Sequence, residues 1–239
     1  GGTAVTPYRC PECDRPEGDY HHADCSKYAA RVVRPVIYLS GHRHEAIVRL
    51  RDVGYLLTPR MGQSPVAGVP WAADNGCFSN PEGFDLNVYM GWLRDLAPYA
   101  DSCLFATAPD VVGDAPATLA RSLPVLPMIR KAGYPAALVA QDGLEEMEVP
   151  WHAFDVLFIG GSTRWKLAAE ALTRMAREMG KWVHMGRVNS YRRLRHAEAM
   201  GCHSVDGTFL KFGPSKNLIR LNRWMAEMAM NPRLMAVQS

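Results

Sequence analysis

Eight short apolar runs, alternating with helix-period segments and ending in polar loops, predict a compact (β/α)8 barrel of the α/β class, preceded by a small N-terminal zinc-binding segment. The runs are nearly uninterrupted, as parallel strands covered on both faces are. Helical periodicity fills most of the gaps between them. A carboxylate, an amide or a glycine recurs just past the runs, which is how a parallel sheet or barrel assembles one site from distant sequence.

The extended runs are 36–39, 55–58, 69–73, 102–107, 136–140, 156–159, 182–185 and 203–205, and the helical patterns are 44–53, 86–99, 115–132, 164–179, 190–200 and 215–230. Asp114 ahead of Ala115-Pro116 reads as a helix start, and Gly133, Gly180 and Gly201 as helix ends. Two connections, 59–68 and 144–150, are too short for a full helix, so an incomplete barrel stays open and a doubly wound open sheet is the alternative. There is no internal repeat and no low-complexity segment. Residues 1–30 read as a zinc knuckle and 31–239 as the catalytic barrel.

At 239 residues the chain can bury a substantial core, and no apolar run approaches membrane-spanning length. Nothing at the start reads as a signal peptide, and Gly1-Gly2 without Met reads as a trimmed start, so the cytoplasm is the expected compartment and no membrane partner is expected. The net charge of +3 does not by itself demand a nucleic-acid partner. Its distribution is uneven: Arg187, Arg192, Arg193, Arg195, Lys211, Lys216, Arg220 and Arg223 are opposed only by Glu198 and Asp206. That excess suits a phosphate backbone, although a solvated helix face has the same composition.

Cys10, Cys13 and Cys25 crowd the N-terminus around His21 and His22 and spell C-x2-C-x8-H-x2-C if His22 is used. That spacing suits a tetrahedral zinc site of Cys10, Cys13, His22 and Cys25, with His21 as the substitute ligand and a disulfide or free thiols as the alternative. Four protein ligands leave no open position, so the zinc would be structural. Cys77, Cys103 and Cys202 read as buried small apolar residues.

The loops after the runs hold Asp74-Asn75-Gly76, Pro109-Asp110, Gln141-Asp142-Gly143, Gly160-Gly161, Met185-Gly186 and Val205-Asp206-Gly207. On a barrel they all lie at the C-terminal rim. Asp114 reads as a helix cap, Asp142 as a turn residue, His184 and His203 as satisfied core histidines, and His42 and His44, on the first βα loop, as solvent-facing, with substrate contact as the alternative.

In this order and spacing the motifs resemble those of the guanine transglycosylases, which swap a base in nucleic acid. The segment 71–78, Trp-Ala-Ala-Asp-Asn-Gly-Cys-Phe, is similar to that family's Asp-Ser-Gly-Gly-Phe loop, and Pro109-Asp110 to its substrate-gripping aspartate. Val139-Ala140-Gln141-Asp142-Gly143 resembles its Val-Gln-Gly-Gly strand end, Ile159-Gly160-Gly161 its glycine pair, and His184-Met185-Gly186 its Leu-Met-Gly. The 201–206 segment has the spacing of its nucleophile motif. The chain departs from the tRNA-acting members, which are longer and carry zinc after the nucleophile. Here no Cys follows Cys202, Cys77 replaces a glycine, and the usual Pro-Thr-Arg after the nucleophile is missing. It looks more like the short DpdA-type branch of bacterial modification islands and phages, which inserts 7-deazaguanine into DNA.

The resemblance implies a glycosyltransferase that exchanges guanine in DNA for preQ0 or a related base through a covalent glycosyl-aspartate, with Asp206 as nucleophile and Asp74 handling protons. It implies that Asp110 and Gln141 read the polar edge of the base, that the Gly160 and Gly161 amides reach its carbonyl, and that Met185, followed by Gly186, covers one face. The base would be flipped, with Arg187, Arg192, Arg193, Lys211 and Lys216 on the phosphates. Exchange on tRNA, hydrolysis by a base glycosylase, and a non-catalytic zinc-bearing nucleic-acid-binding protein are the alternatives; a homodimer or an accessory protein stays open.

Overall fold

The computed structural model describes residues 35–42, 44–80 and 83–231. Eight parallel strands close into one barrel in chain order: β1 (Ile37–Ser40), β2 (Val53–Leu57), β3 (Trp71–Ala73), β4 (Cys103–Thr107), β5 (Ala136–Ala140), β6 (Val156–Ile159), β7 (Trp182–Met185) and β8 (Ser204–Gly207). β8 pairs with β1, Asp206 opposite Leu39, and this shuts the ring. The open-sheet alternative and the incomplete barrel are thereby set aside. Seven α-helices surround the ring among the described residues: α1 (Leu86–Asp95), α2 (Ala115–Ser122), α3 (Leu126–Lys131), α4 (Thr163–Ala168), α5 (Glu170–Glu178), α6 (Tyr191–Ala199) and α7 (Pro214–Met230). No helix among the described residues is long and apolar enough to cross a membrane.

Side chains alternate between two cores, as the two-residue period of a strand requires. Leu39, Leu56, Ala72, Phe105, Val139 and Phe158 fill the bore. Their neighbours Tyr38, Tyr55, Trp71, Leu138, Leu157 and Val205 face outward and pack with helix residues such as Leu93, Ile129, Leu172, Leu194 and Leu221. Helix starts follow local chemistry: Asp85, Asp114, Ser162 and Ser190 each accept a first-turn N–H. Gly133, Gly180 and Gly201, with φ of +91, +70 and +87, end α3, α5 and α6.

Several expected boundaries move. The helix expected at 44–53 is a 3-10 turn, Glu45–Arg49, because Asp52 turns the chain with φ +59 and β2 begins at Val53, before the expected 55. The third run is strand only from Trp71, since Pro70 has no N–H for the ladder. The pattern at 115–132 splits into α2 and α3, with Pro124 in the break and Pro127 in the first turn of α3. The pattern at 164–179 splits at Ala169, whose ψ of 31 interrupts the helix. The two short connections hold only 3-10 turns, Pro59–Met61 and Leu144–Glu146, and a third, Trp151–Ala153, follows before β6, yet the ring still closes.

Gly54 shows how tightly β2 and β3 approach. A Cβ there would lie 1.9 Å from the Pro70 carbonyl oxygen, in a backbone that cannot step aside without breaking the Tyr55 N–H bond to that same oxygen. Gly54→Ala is expected to lose about 1–3 kcal/mol of stability or more in a denaturant titration; wild-type stability would contradict the packing described.

Candidate active site at the barrel rim

The C-terminal rim gathers Asp74, Asp110, Gln141 and Asp206 from four strand ends. Asp74 follows β3 and is partly buried; its Oδ1 accepts the Gly76 N–H at 2.8 Å. Burial pushes its carboxyl up to about 7, the Gly76 bond opposes this, and the charges of Asp206 and Asp110 reinforce it.

Asp110, after β4, is buried and is held by amides. Oδ1 accepts from Asn75 Nδ2 at 3.1 Å and Oδ2 from Gln141 Nε2 at 2.6 Å. Burial raises its carboxyl above the usual range, and the two amide bonds oppose that. Asn75 also ties the loops after β3 and β4 together, donating to the Ala108 carbonyl and receiving the Cys77 N–H. Gln141 is spent within the protein: its Oε1 accepts the Gly113 and Gly161 N–H groups, both at 3.0 Å.

The glycine pair therefore departs from expectation. The Gly161 N–H meets Gln141, and the Gly160 N–H continues the ladder to the Ala140 carbonyl, so neither amide points free into the mouth. Both positions still exclude side chains: a Cβ on Gly160 would lie 2.8 Å from Val139, and one on Gly161, at φ +61, 2.5 Å from Trp165. Met185 also departs from its expected place over the base. Like Val183, it faces outward from β7 and is wholly buried in the core beneath the helices. Gly186 lies beside the nucleophile candidate instead; a Cβ there would be 3.2 Å from Asp206 Oδ1.

Asp206 is the last inward residue of β8. Its Oδ1 lies 3.0 Å from His184 Nε2 and its Oδ2 accepts the Arg187 N–H at 3.3 Å. Arg187 has a left-handed backbone, φ +60, and its guanidinium donates to the Gly161 carbonyl while lying 4.7 Å over the ring of Phe78. Because β3 and β7 stand on opposite sides of an eight-stranded ring, this contact joins loops from opposite sides of the mouth. Phe78, the ring beneath it, is 58% exposed.

The remaining basic candidates sit outside the mouth. Arg192 and Arg193, at the start of α6, line an open cavity of about 580 Å³ with Leu167, Tyr191, Arg195 and His196. Lys211 and Lys216 are exposed on the segment after β8 and the first turn of α7. Cys77, Cys103 and Cys202 are buried free thiols, and Asp142 is a turn residue bonded by Ser162 N and Oγ, both at 2.6 Å. The zinc candidates Cys10, Cys13, His22 and Cys25 lie outside the described residues, among which no group of three or more His, Cys, Asp or Glu could hold a metal ion.

Lys166, on α4, had no signal in the sequence. It is buried, donates to the Gly186 carbonyl at 2.6 Å, and is pushed down to about 8, chiefly by burial and then by Arg187, against the pull of Asp206. It fixes the turn that presents the Arg187 amide to Asp206.

No protein-family model and no curated protein match the chain. Among solved structures, the PaMucR phosphodiesterase in its c-di-GMP complex aligns at a TM-score of 0.40 and 13% identity, over 62% of this chain and 64% of that one. Tryptophan synthase from M. tuberculosis aligns at 0.44 and 17%, over 70% and 63%. The Amycolatopsis orientalis BexX/CysO complex aligns at 0.48 and 15%, over 88% and 97%. The chain thus spans less than two thirds of the first two, and at these scores none of the three bears on its chemistry.

A carboxyl raised from 3.8 to about 7 on folding destabilises the folded state once the unfolded chain ionises, and the cost is complete above about pH 7. Asp74→Asn, whose amide oxygen can still accept the Gly76 N–H, is therefore expected to raise the Tm at pH 8, with the gain vanishing as the pH falls below 3.8. A gain independent of pH, read by thermal melts across that range, would contradict the raised carboxyl.

Proposed function

We propose that this chain is a DNA-guanine transglycosylase that exchanges guanine for a 7-deazaguanine such as preQ0. One observation carries the reading: two carboxylates in unlike surroundings face one rim, Asp206 tied by two N–H groups and Asp74 pushed up to about 7 by burial. Splitting two carboxyls this way separates a nucleophile from a proton carrier.

In the proposed cycle Asp206 attacks C1′ of the flipped nucleotide. The C1′–N9 bond breaks, its electron pair leaves with the base, and protonated Asp74 supplies the proton. The incoming base gives a proton back to Asp74, attacks C1′ and releases Asp206. Two inversions leave the polymer with its original configuration. Asp110 accepts hydrogen bonds only, so it suits the donor edge of a guanine-like base, its ring N–H and exocyclic amine. Gln141 holds Asp110 in place, a change from direct reading of a carbonyl that follows from its own bonds. The Arg187 guanidinium lies where a flat heterocycle would stack on Phe78, so it must swing aside as the base enters. Arg192, Arg193, Lys211 and Lys216 would meet polymer phosphates outside the mouth. Structural zinc on Cys10, Cys13, His22 and Cys25 remains part of the proposal on spacing alone.

Incubation with guanine-labelled duplex DNA, single-stranded DNA and tRNA, with and without preQ0, tests the reading through label release and nucleoside mass analysis. Guanine loss from DNA matched by preQ0 gain is expected, and Asp206→Asn should abolish it by at least about 10³-fold while binding survives. Gain in tRNA, release without replacement, or no release from any polymer would each overturn it, in favour of the tRNA enzyme, a glycosylase or a binding protein respectively. Metal analysis of the full chain should find about one zinc per chain, lost in Cys13→Ser; no zinc would remove the knuckle.

A further inference from the structure

A file of polar groups runs up the otherwise apolar bore, from Trp182 through Ser204 and His184 to Asp206. The Trp182 indole donates to Ser204 Oγ at 2.9 Å, Ser204 Oγ lies 2.8 Å from His184 Nδ1, and His184 Nε2 lies 3.0 Å from Asp206 Oδ1. The Asp206 carboxylate only accepts, so the neutral imidazole carries its proton on Nε2, and Nδ1 is left to accept the Ser204 hydroxyl while Ser204 accepts from the Trp182 indole. The single imidazole proton thus points at Asp206. The groups are those of a serine hydrolase, but the order is reversed and the serine is inaccessible: Ser204 and His184 are 0% exposed, and only Asp206 reaches the rim. Ser204 is therefore not a nucleophile, and the file serves the carboxylate.

The imidazole is enclosed by rings, 4.9 Å from Phe105 on β4 and 4.4 Å from Phe158 on β6. The charged groups acting on it are Asp206 on β8 and Lys166 on α4. Burial holds His184 below the ordinary imidazole range; Asp206 opposes this and Lys166 adds to it, so the ring is neutral at pH 7.

We propose that His184 is a positioning residue for Asp206: its neutral imidazole, kept as the Nε2–H tautomer between the Asp206 carboxylate and the Ser204 hydroxyl, holds Oδ1 and leaves Oδ2 to attack. This rests on the reading of Asp206 as nucleophile. Oδ2 is the freer oxygen because its one donor among the described residues, the Arg187 amide, is at 3.3 Å.

The first test needs no activity. In ¹⁵N spectra of histidine-labelled full-length protein, with the signal assigned by its loss in His184→Gln, His184 is expected to stay neutral and Nε2-protonated from pH 7 to 8. Ser204→Ala, which takes the donor away from Nδ1, should shift the Nδ1 resonance while Nε2 keeps its proton. An Nδ1–H or doubly protonated ring in the wild type would overturn the proposal. The second test is kinetic. His184→Phe should lower kcat for base exchange by roughly 10- to 100-fold, the worth of one hydrogen bond to a charged group, with KM within about threefold. His184→Gln, whose amide can donate to the same oxygen, should recover most of the loss; a folded His184→Phe with wild-type kcat, or no rescue by Gln, would overturn the role. Exchange retained in Asp206→Asn would overturn the nucleophile reading and the catalytic purpose of His184 with it, while the ¹⁵N pattern would still decide the hydrogen bond.

Discussion

The ladder between β8 and β1 is the bond on which the rest depends. The Ile37 N–H reaches the His203 carbonyl at 3.0 Å and the Gly41 N–H reaches the Gly207 carbonyl at 3.1 Å, and with them an eight-stranded sheet loses its edges. Closure fixes which residues face the bore. Once Leu39 points inward opposite Asp206, the period of two sends Asp206 and Ser204 inward and Val205 outward, and the β7 register does the same for His184 and Met185. Gly207 is part of this geometry, since a Cβ there would lie 2.3 Å from the Tyr38 hydroxyl and 2.5 Å from the Val188 carbonyl oxygen.

Much of this architecture was legible in the sequence, because buried parallel strands leave apolar runs that need little context to recognise. All eight runs overlap a strand, and Asp114 and the three helix-ending glycines do what their types predict. Strand ends were less legible where a proline or a left-handed residue decided them, at Pro70 and Asp52. The four rim residues Asp74, Asp110, Gln141 and Asp206 were found from their position after a strand, which the barrel converts into proximity. The roles of Met185, Gly160 and Gly161 were harder to read, because they depend on which way one residue faces or on which acceptor a backbone amide meets. A single sequence does not carry that parity until a register is known. Lys166 lies in a short helix, as many exposed lysines do, and only the break at Ala169 and the contact with Gly186 distinguish it.

The rim handles its acids with neutral donors as much as with cations. Asp110 is held by two side-chain amides, Asp74 by one backbone amide, and Asp206 by a backbone amide and an imidazole. Such donors orient a carboxylate while leaving lone pairs for a ligand, whereas a bidentate guanidinium would occupy both oxygens. Arg121, a cation, donates to the Asp110 backbone carbonyl and lies 5.2 Å over the ring of Phe84.

The contact of Arg187 with both Gly161 and Phe78 has a consequence for how this barrel can diverge. Loops of a (β/α)8 rim ordinarily lengthen and shorten independently, because each is anchored on its own strand. Here one side chain joins the loop after β7 to those after β6 and β3. An insertion near Phe78 is thus felt half a circumference away, at the turn that carries the Asp206 amide donor. The three loops form one heritable unit, and change in any of them is constrained to the lengths at which a single arginine still spans the gap.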